Sequence, residues 1–211
     1  MRHPFLSLIA PLTIWLALAN PVAAAESTAR TTVENFHAAL LEVMKNADTL
    51  GIKGRYGRLE PQVSRSFNLA LMIRIASGIH WRKANAAQRI ALVDAFKRFS
   101  VGVYAARFSS HSGETFETSS VKPGPQRTKL VHTRINRPKD SPVKLSYVVK
   151  NFSGAWRIVD VLLDGGISEL AVRRSEYRSI LNSNGVAGLV ATLNRKADAL
   201  KGGHSGPAIK P

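Results

Sequence analysis

Near Gly113 the spacing of apolar residues changes from a helical period to strict alternation. That switch restricts the chain to folds that segregate helices from an antiparallel sheet. Upstream, Val33, Phe36, Leu40, Leu41, Met44 and Ala47 recur at three- and four-residue steps and predict an amphipathic helix over Thr31 to Leu50, ending at Asp48 and Gly51. Gly51, Gly54 and Gly57 read as a loose basic loop, and Leu59 to Ser66 as a short helix started by Pro61. Phe67 to Ile79 reads as a second apolar helix, and His80 to Lys83 as a connector. Asn85, with Gln88 three residues on, predicts a capped start for a long helix with an apolar stripe of Ile90, Val93, Phe96, Phe99, Val103, Tyr104 and Phe108. Downstream, Thr115 to Val121, Thr128 to Asn136, Val143 to Lys150 and Ala155 to Leu163 predict four strands with turns between them. In the third, Val143, Leu145, Tyr147 and Val149 share one face, which predicts a sheet covered on one side. The fourth changes parity near Asp160, consistent with a bulge there or with burial on both faces. Gly165-Gly166 ends the meander. Ser168 is placed to cap a helix running to Leu181, and Asn184-Gly185 separates it from a last helix. The expected fold class is α+β, with N-terminal helices packed on a curved antiparallel four-stranded sheet and two C-terminal helices.

Arg2 and His3, the apolar run from Pro4 to Ala19 and the small residues Ala23-Ala24-Ala25 predict a cleaved signal peptide over residues 1–25. One domain is expected over residues 26–200, with Glu26 to Arg30 a polar linker and residues 201–211 a disordered tail. The net charge is +16, from 30 Lys and Arg against 14 Asp and Glu. In an exported chain such charge suits anionic membrane surface or acidic partners rather than nucleic acid, and no basic-aromatic stacking motif is present. There is no cysteine, which excludes disulfides, thiolate metal sites and a cysteine nucleophile. His37, His80, His111 and His204 show no metal-ligand spacing, His132 is the only strand histidine, and no serine lies in a nucleophile elbow.

Two segments carry a resemblance. One runs Gly78-Ile79-His80-Trp81-Arg82-Lys83-Ala84-Asn85-Ala86-Ala87-Gln88-Arg89, followed by Phe96, Phe99 and Tyr104. The other is Trp156-Arg157-Ile158-Val159-Asp160-Val161, then Gly166-Ile167-Ser168, Arg174-Ser175-Glu176-Tyr177, Gly185 and Leu189 to Leu193. In this order they resemble the MlaC family of periplasmic lipid carriers that serve ABC-type lipid transporters. The stretch Asp164 to Leu170 is most similar to the hopanoid-associated HpnM branch. Arg173 departs from the pattern, which often has an aromatic directly before the arginine matched to Arg174. The resemblance implies an NTF2-like fold, acyl chains held between sheet and helices, no catalysis and no cofactor. The implied partners are a phospholipid or hopanoid ligand, a substrate-binding protein of an inner-membrane ABC transporter and an outer-membrane lipoprotein–porin complex. The expected state is a periplasmic monomer capable of peripheral membrane contact.

A carrier must take acyl tails out of water, and each buried methylene is worth about 0.8 kcal/mol. The candidate lining is Phe67, Leu71 and Ile75 on one helix, Phe96, Phe99, Val103 and Tyr104 on the next, and Val143, Leu145, Tyr147, Val149, Trp156 and Ile158 on the sheet. Any one of these also serves as ordinary core. Tyr104 and Tyr147 are expected to offer hydroxyls at a wet rim. Arg74 and Arg174 are the head-group candidates if the ligand carries a phosphate; otherwise they belong to solvated helix faces. Two other readings stay open. One is a secreted NTF2-like enzyme with Asp160 as a base in an apolar strand; the other is a basic interaction protein with a filled core.

Overall fold

The computed structural model describes residues 21–202. The expected leader and tail lie outside the described residues, apart from their inner ends. Six helices and five strands follow one another as α1 (Pro21–Lys45), α2 (Ala47–Ser66), α3 (Leu69–Ser77), α4 (Ile79–Lys83), α5 (Ala86–Arg107), β1 (Thr115–Gly124), β2 (Thr128–Asn136), β3 (Val143–Phe152), β4 (Ala155–Leu163), β5 (Ile167–Ser168) and α6 (Glu169–Lys201). The fold is α+β. The sheet has five strands rather than the four expected, in the order β1-β2-β3-β4-β5 and antiparallel throughout. The extra strand is two residues long, too short to leave a periodic signal.

The inner face of the sheet carries Val131 and Thr133 from β2, Leu145, Tyr147 and Val149 from β3, and Ile158 and Val161 from β4, all buried. Register sets Val131, Tyr147 and Val161 side by side across the three strands. In β4 the pairing jumps from Val148↔Asp160 to Val149↔Ile158, so Val159 is an extra residue and the bulge lies where the parity changes. That bulge lets Ile158 and Val161 share one face despite their odd separation.

Helix α1 lies across this face and touches β1 to β4, burying Val33, Phe36, His37, Leu40 and Val43 against it. Behind it, α5 and α6 form the main helix pair, with α2 packed on α5 and α3 packed chiefly on α6. The start of α5 is a full capping box: the Asn85 side chain accepts from the Gln88 amide at 2.9 Å, and Gln88 accepts from the Asn85 amide at 3.0 Å.

Several expected loops are helical instead. Glu26 to Arg30 belongs to α1, and Gly54 and Gly57 lie inside α2 together with Pro61. The glycine spacing suggested a loop, but only Gly51 leaves helical geometry, at φ 54° and ψ −177°. Gly185 breaks α6 in the same way at φ 63° and ψ −164°, so the two expected C-terminal helices are two arms meeting at a sharp bend. That region of backbone space is essentially reserved for glycine. Phe67 is extended rather than helical. It bridges to Ile158 in parallel, and the Asn68 amide donates to the Ile158 carbonyl at 2.9 Å, docking the helical layer directly onto β4. The connector His80 to Lys83 is the short helix α4.

Candidate functional site

Between α1, α5 and the sheet lies a continuous seam of rings. Phe36 is fully buried at its centre, with ring centroids 5.0 Å from Phe67, 5.0 Å from Tyr104 and 6.5 Å from Tyr147. The contacts are near-perpendicular, the arrangement favoured by the ring quadrupoles. The seam continues from Tyr104 to Phe108 at 6.2 Å, from Phe108 to Phe116 at 6.1 Å and back from Phe116 to His37 at 4.5 Å. Burial falls along this path. Phe36 and Phe67 are buried, whereas Tyr104, Phe108 and Phe116 are only half-buried. Register places Phe116, Ile135 and Val143 side by side on β1, β2 and β3, all half-buried and packed on the core. The apolar interior therefore grades into a partly wet rim at the Phe116–Ile135–Val143 end.

One polar pair is sealed inside. His37 Nε2 and the Tyr147 hydroxyl are 2.9 Å apart, with both residues buried. Burial lowers the imidazole to about 4 and pushes the phenol well above its ordinary range, so both are neutral at physiological pH. The expectation of a Tyr147 hydroxyl at a wet rim is corrected: it is internal, satisfied by a histidine 110 residues away in sequence. Tyr104 is half-buried, and burial raises its phenol too.

Of the other candidate residues, Phe67, Phe96, Phe99, Leu145, Val149 and Ile158 are buried, and Val103, Val143 and Trp156 are half-buried against the core. Phe99 faces α6 rather than the sheet, since the Arg173 guanidinium lies 4.9 Å and the Lys196 amine 5.9 Å from its ring. The expectation that Leu71 and Ile75 turn inward is also corrected. Helix α3 buries Leu69, Met72, Ile73 and Ala76, while Leu71 is half-exposed and Ile75 is 41% exposed. Extended backbone at Phe67 resets the helical phase at Asn68, which caps α3 by accepting from the Leu71 amide. Arg74 and Arg174 are exposed on α3 and α6.

Asp160 shares the outward register of Val148, on the face opposite Tyr147 and Ile158. Its carboxylate accepts from the Val161 and Leu170 amides at 2.8 and 3.0 Å and from the Ser168 hydroxyl at 2.5 Å. These bonds account for the carboxylate structurally and tie β4 to the start of α6. Among the described residues no cluster of three or more His, Asp and Glu is arranged to hold a metal, and no helix is long and apolar enough to cross a membrane. Outside the seam, an open cleft of about 400 Å³ between α1, α2 and β4 is lined by Asn35, Arg65, Trp156 and Arg157, among others.

The sequence reading missed Phe36, His37, Phe108 and Phe116 as members of the site. Phe36 and Phe108 were visible as helix-stripe residues. No sequence signal pairs His37 with Tyr147, because the two meet only when α1 is laid across β3.

Among solved structures, the chain is similar to a phospholipid-binding protein from Ralstonia solanacearum, determined in complex with a phospholipid. The two align with a TM-score of 0.71 and 20% identity, covering 82% of this chain and 98% of that one. At that identity the match shows the fold. The model of the MlaC protein family matches residues 34–195, from the helix laid across the sheet, through the ring seam and both of its walls, to the second arm of α6, and the chain belongs to that family.

Proposed function

We propose that this protein is a periplasmic lipid carrier that holds the acyl chains of a phospholipid between its sheet and its helices. It moves that lipid between membranes within an ABC-type transport pathway. The observation that carries the reading is the ring seam, graded from buried Phe36 to the half-buried rim of Phe108, Phe116, Ile135 and Val143, in a chain of the MlaC family. The solved relative in complex with a phospholipid supports the same cargo class. A hopanoid-type lipid is the finer alternative suggested by the Asp164 to Leu170 stretch.

The physics fits tail binding. Rings of Phe36, Phe67, Tyr104 and Phe108 are held by dispersion and edge contacts rather than by directional bonds, so they can part and re-close around a methylene chain. Each methylene transferred contributes about 0.8 kcal/mol, so even one tail offsets the loss of several ring contacts. The His37–Tyr147 pair joins Nε2 to the phenol hydroxyl and presents a neutral floor to the seam. The partners fitting this reading are a substrate-binding protein of the inner-membrane transporter and an outer-membrane lipoprotein–porin complex.

Native mass spectrometry of protein purified without detergent, followed by lipid extraction, tests the reading. The expected result is a near-stoichiometric adduct at the mass of a phospholipid or hopanoid. A bare polypeptide mass that persists after incubation with phospholipid vesicles would overturn it.

A further inference from the structure

The bend between α3 and α4 combines exposed apolar side chains with exposed cations in an arrangement the ring seam does not use. Ile75 is 41% exposed and Ile79 is 47% exposed, on either side of Gly78. Around them Arg74, Arg82 and Lys83 are exposed and, among the described residues, have no acidic partner. The sequence from Pro61 to Val93 contains no Asp or Glu at all.

Helix α6 supplies the other side of the patch. The Arg174 guanidinium lies 3.9 Å from where a Cβ on Gly78 would stand, and His80 Nε2 is 3.2 Å from the Asn182 side-chain oxygen. Arg174, Arg178 and Asn182 recur every four residues, so they form one stripe along α6 beside the bend. Arg178 is exposed, and like Arg174 it has no acidic partner among the described residues. The acids nearest in sequence on this arm, Glu169 and Glu176, both lie against Arg173, at 3.7 and 3.6 Å.

We propose that this bend is a docking surface for an anionic phospholipid membrane, with Ile75 and Ile79 entering the head-group boundary and Arg74, Arg82, Lys83, Arg174 and Arg178 meeting lipid phosphates. Charge complementarity selects this occupant. Five cations without an acidic partner among the described residues match a surface of uniform negative charge, and two isoleucines at the centre add the apolar signal that a purely electrostatic contact lacks. Stable peripheral attachment needs both kinds of signal, since either alone gives marginal, reversible binding. The surface is separate from the ring seam, and vesicle binding is measured independently of lipid content, so either reading can fail without the other.

The test is flotation of the purified full chain with vesicles of phosphatidylglycerol and phosphatidylethanolamine, against vesicles of phosphatidylcholine alone, at low and high salt. Three double variants are compared: Ile75→Ser with Ile79→Ser, Arg74→Glu with Arg82→Glu, and Lys122→Glu with Lys144→Glu on the sheet. All six positions are exposed, and unchanged thermal melts confirm that each variant is folded. The expected result is flotation with the anionic vesicles only, weakened by salt, reduced about tenfold or more by either patch variant and less than about twofold by the sheet variant. No flotation, or an equal loss from the sheet variant, would overturn the proposal, the latter by making net charge the cause. Loss with the arginine variant but not the isoleucine variant would also overturn it and reassign the patch to an acidic protein surface.

Discussion

The Ser168 hydroxyl donates to Asp160 across 2.5 Å and accepts from the Ala171 amide at 2.9 Å, so one side chain caps α6 and ties it to β4. Asp160 extends the arrangement by accepting from the Leu170 amide, placing a carboxylate at the positive end of the helix. The strand-to-helix corner is thus held by polar bonds, with the two-residue strand β5 beside it.

Asp160→Ala is expected to lower the free energy of unfolding by about 2–3 kcal/mol, because it removes a charged acceptor from two amides and a hydroxyl. Ser168→Ala is expected to cost about 1 kcal/mol, as for other lost N-caps. Urea melts measure both. Lipid content of the folded Asp160→Asn variant should match wild type; a selective loss would move Asp160 from the corner into the binding machinery.

Stability is expected to fall with pH through His37. Its folded value is depressed to about 4 from 6.5, so the native state resists a proton that the unfolded chain accepts. The contribution is complete above about pH 6.5 and declines at up to about 1.4 kcal/mol per pH unit. The decline is finished below about pH 4, for a total of roughly 3 kcal/mol. Denaturant melts between pH 7 and pH 4 should show this slope in wild type and a shallower one in His37→Gln, the difference isolating the imidazole from the carboxylates.

Tyr177 is 2% exposed, and among the described residues its hydroxyl makes no hydrogen bond of good geometry, with Arg173 its nearest polar neighbour. Burial pushes the phenol up to about 12. A buried hydroxyl without a well-formed hydrogen bond carries a desolvation cost, so Tyr177→Phe is expected to raise the free energy of unfolding by about 1 kcal/mol. A drop in the urea midpoint would show that the hydroxyl has a partner, an ordered water included.

Gly185→Ala and Gly57→Ala should act in opposite directions although both glycines lie within helices. At Gly185, φ is 63°, and alanine is expected to cost about 1–3 kcal/mol. At Gly57 the backbone is helical and nothing lies within 4 Å of a new Cβ, so alanine is expected to stabilise by about 0.4–1 kcal/mol. Thermal melts of the two variants give the comparison directly.

Local pattern determined much of this protein. The alternation of Val143, Leu145, Tyr147 and Val149 fixed the inner face of β3. The parity change near Asp160 located the bulge, and Asn85 with Gln88 marked the start of α5. These features depend on neighbours a few residues apart, which is the range over which periodicity and capping act. Tertiary structure alone decided the rest. Packing made Gly54, Gly57 and Pro61 helical against their propensities, because burying Leu59 and Val63 outweighs the intrinsic cost of those residues in a helix. The bridge from Phe67 to Ile158 reset the phase of α3 and turned Ile75 outward. The seam itself joins Phe36 and His37 to Tyr104, Phe116 and Tyr147, contacts between residues far apart in the chain. Such contacts arise from the crossing of whole elements, which no local spacing encodes.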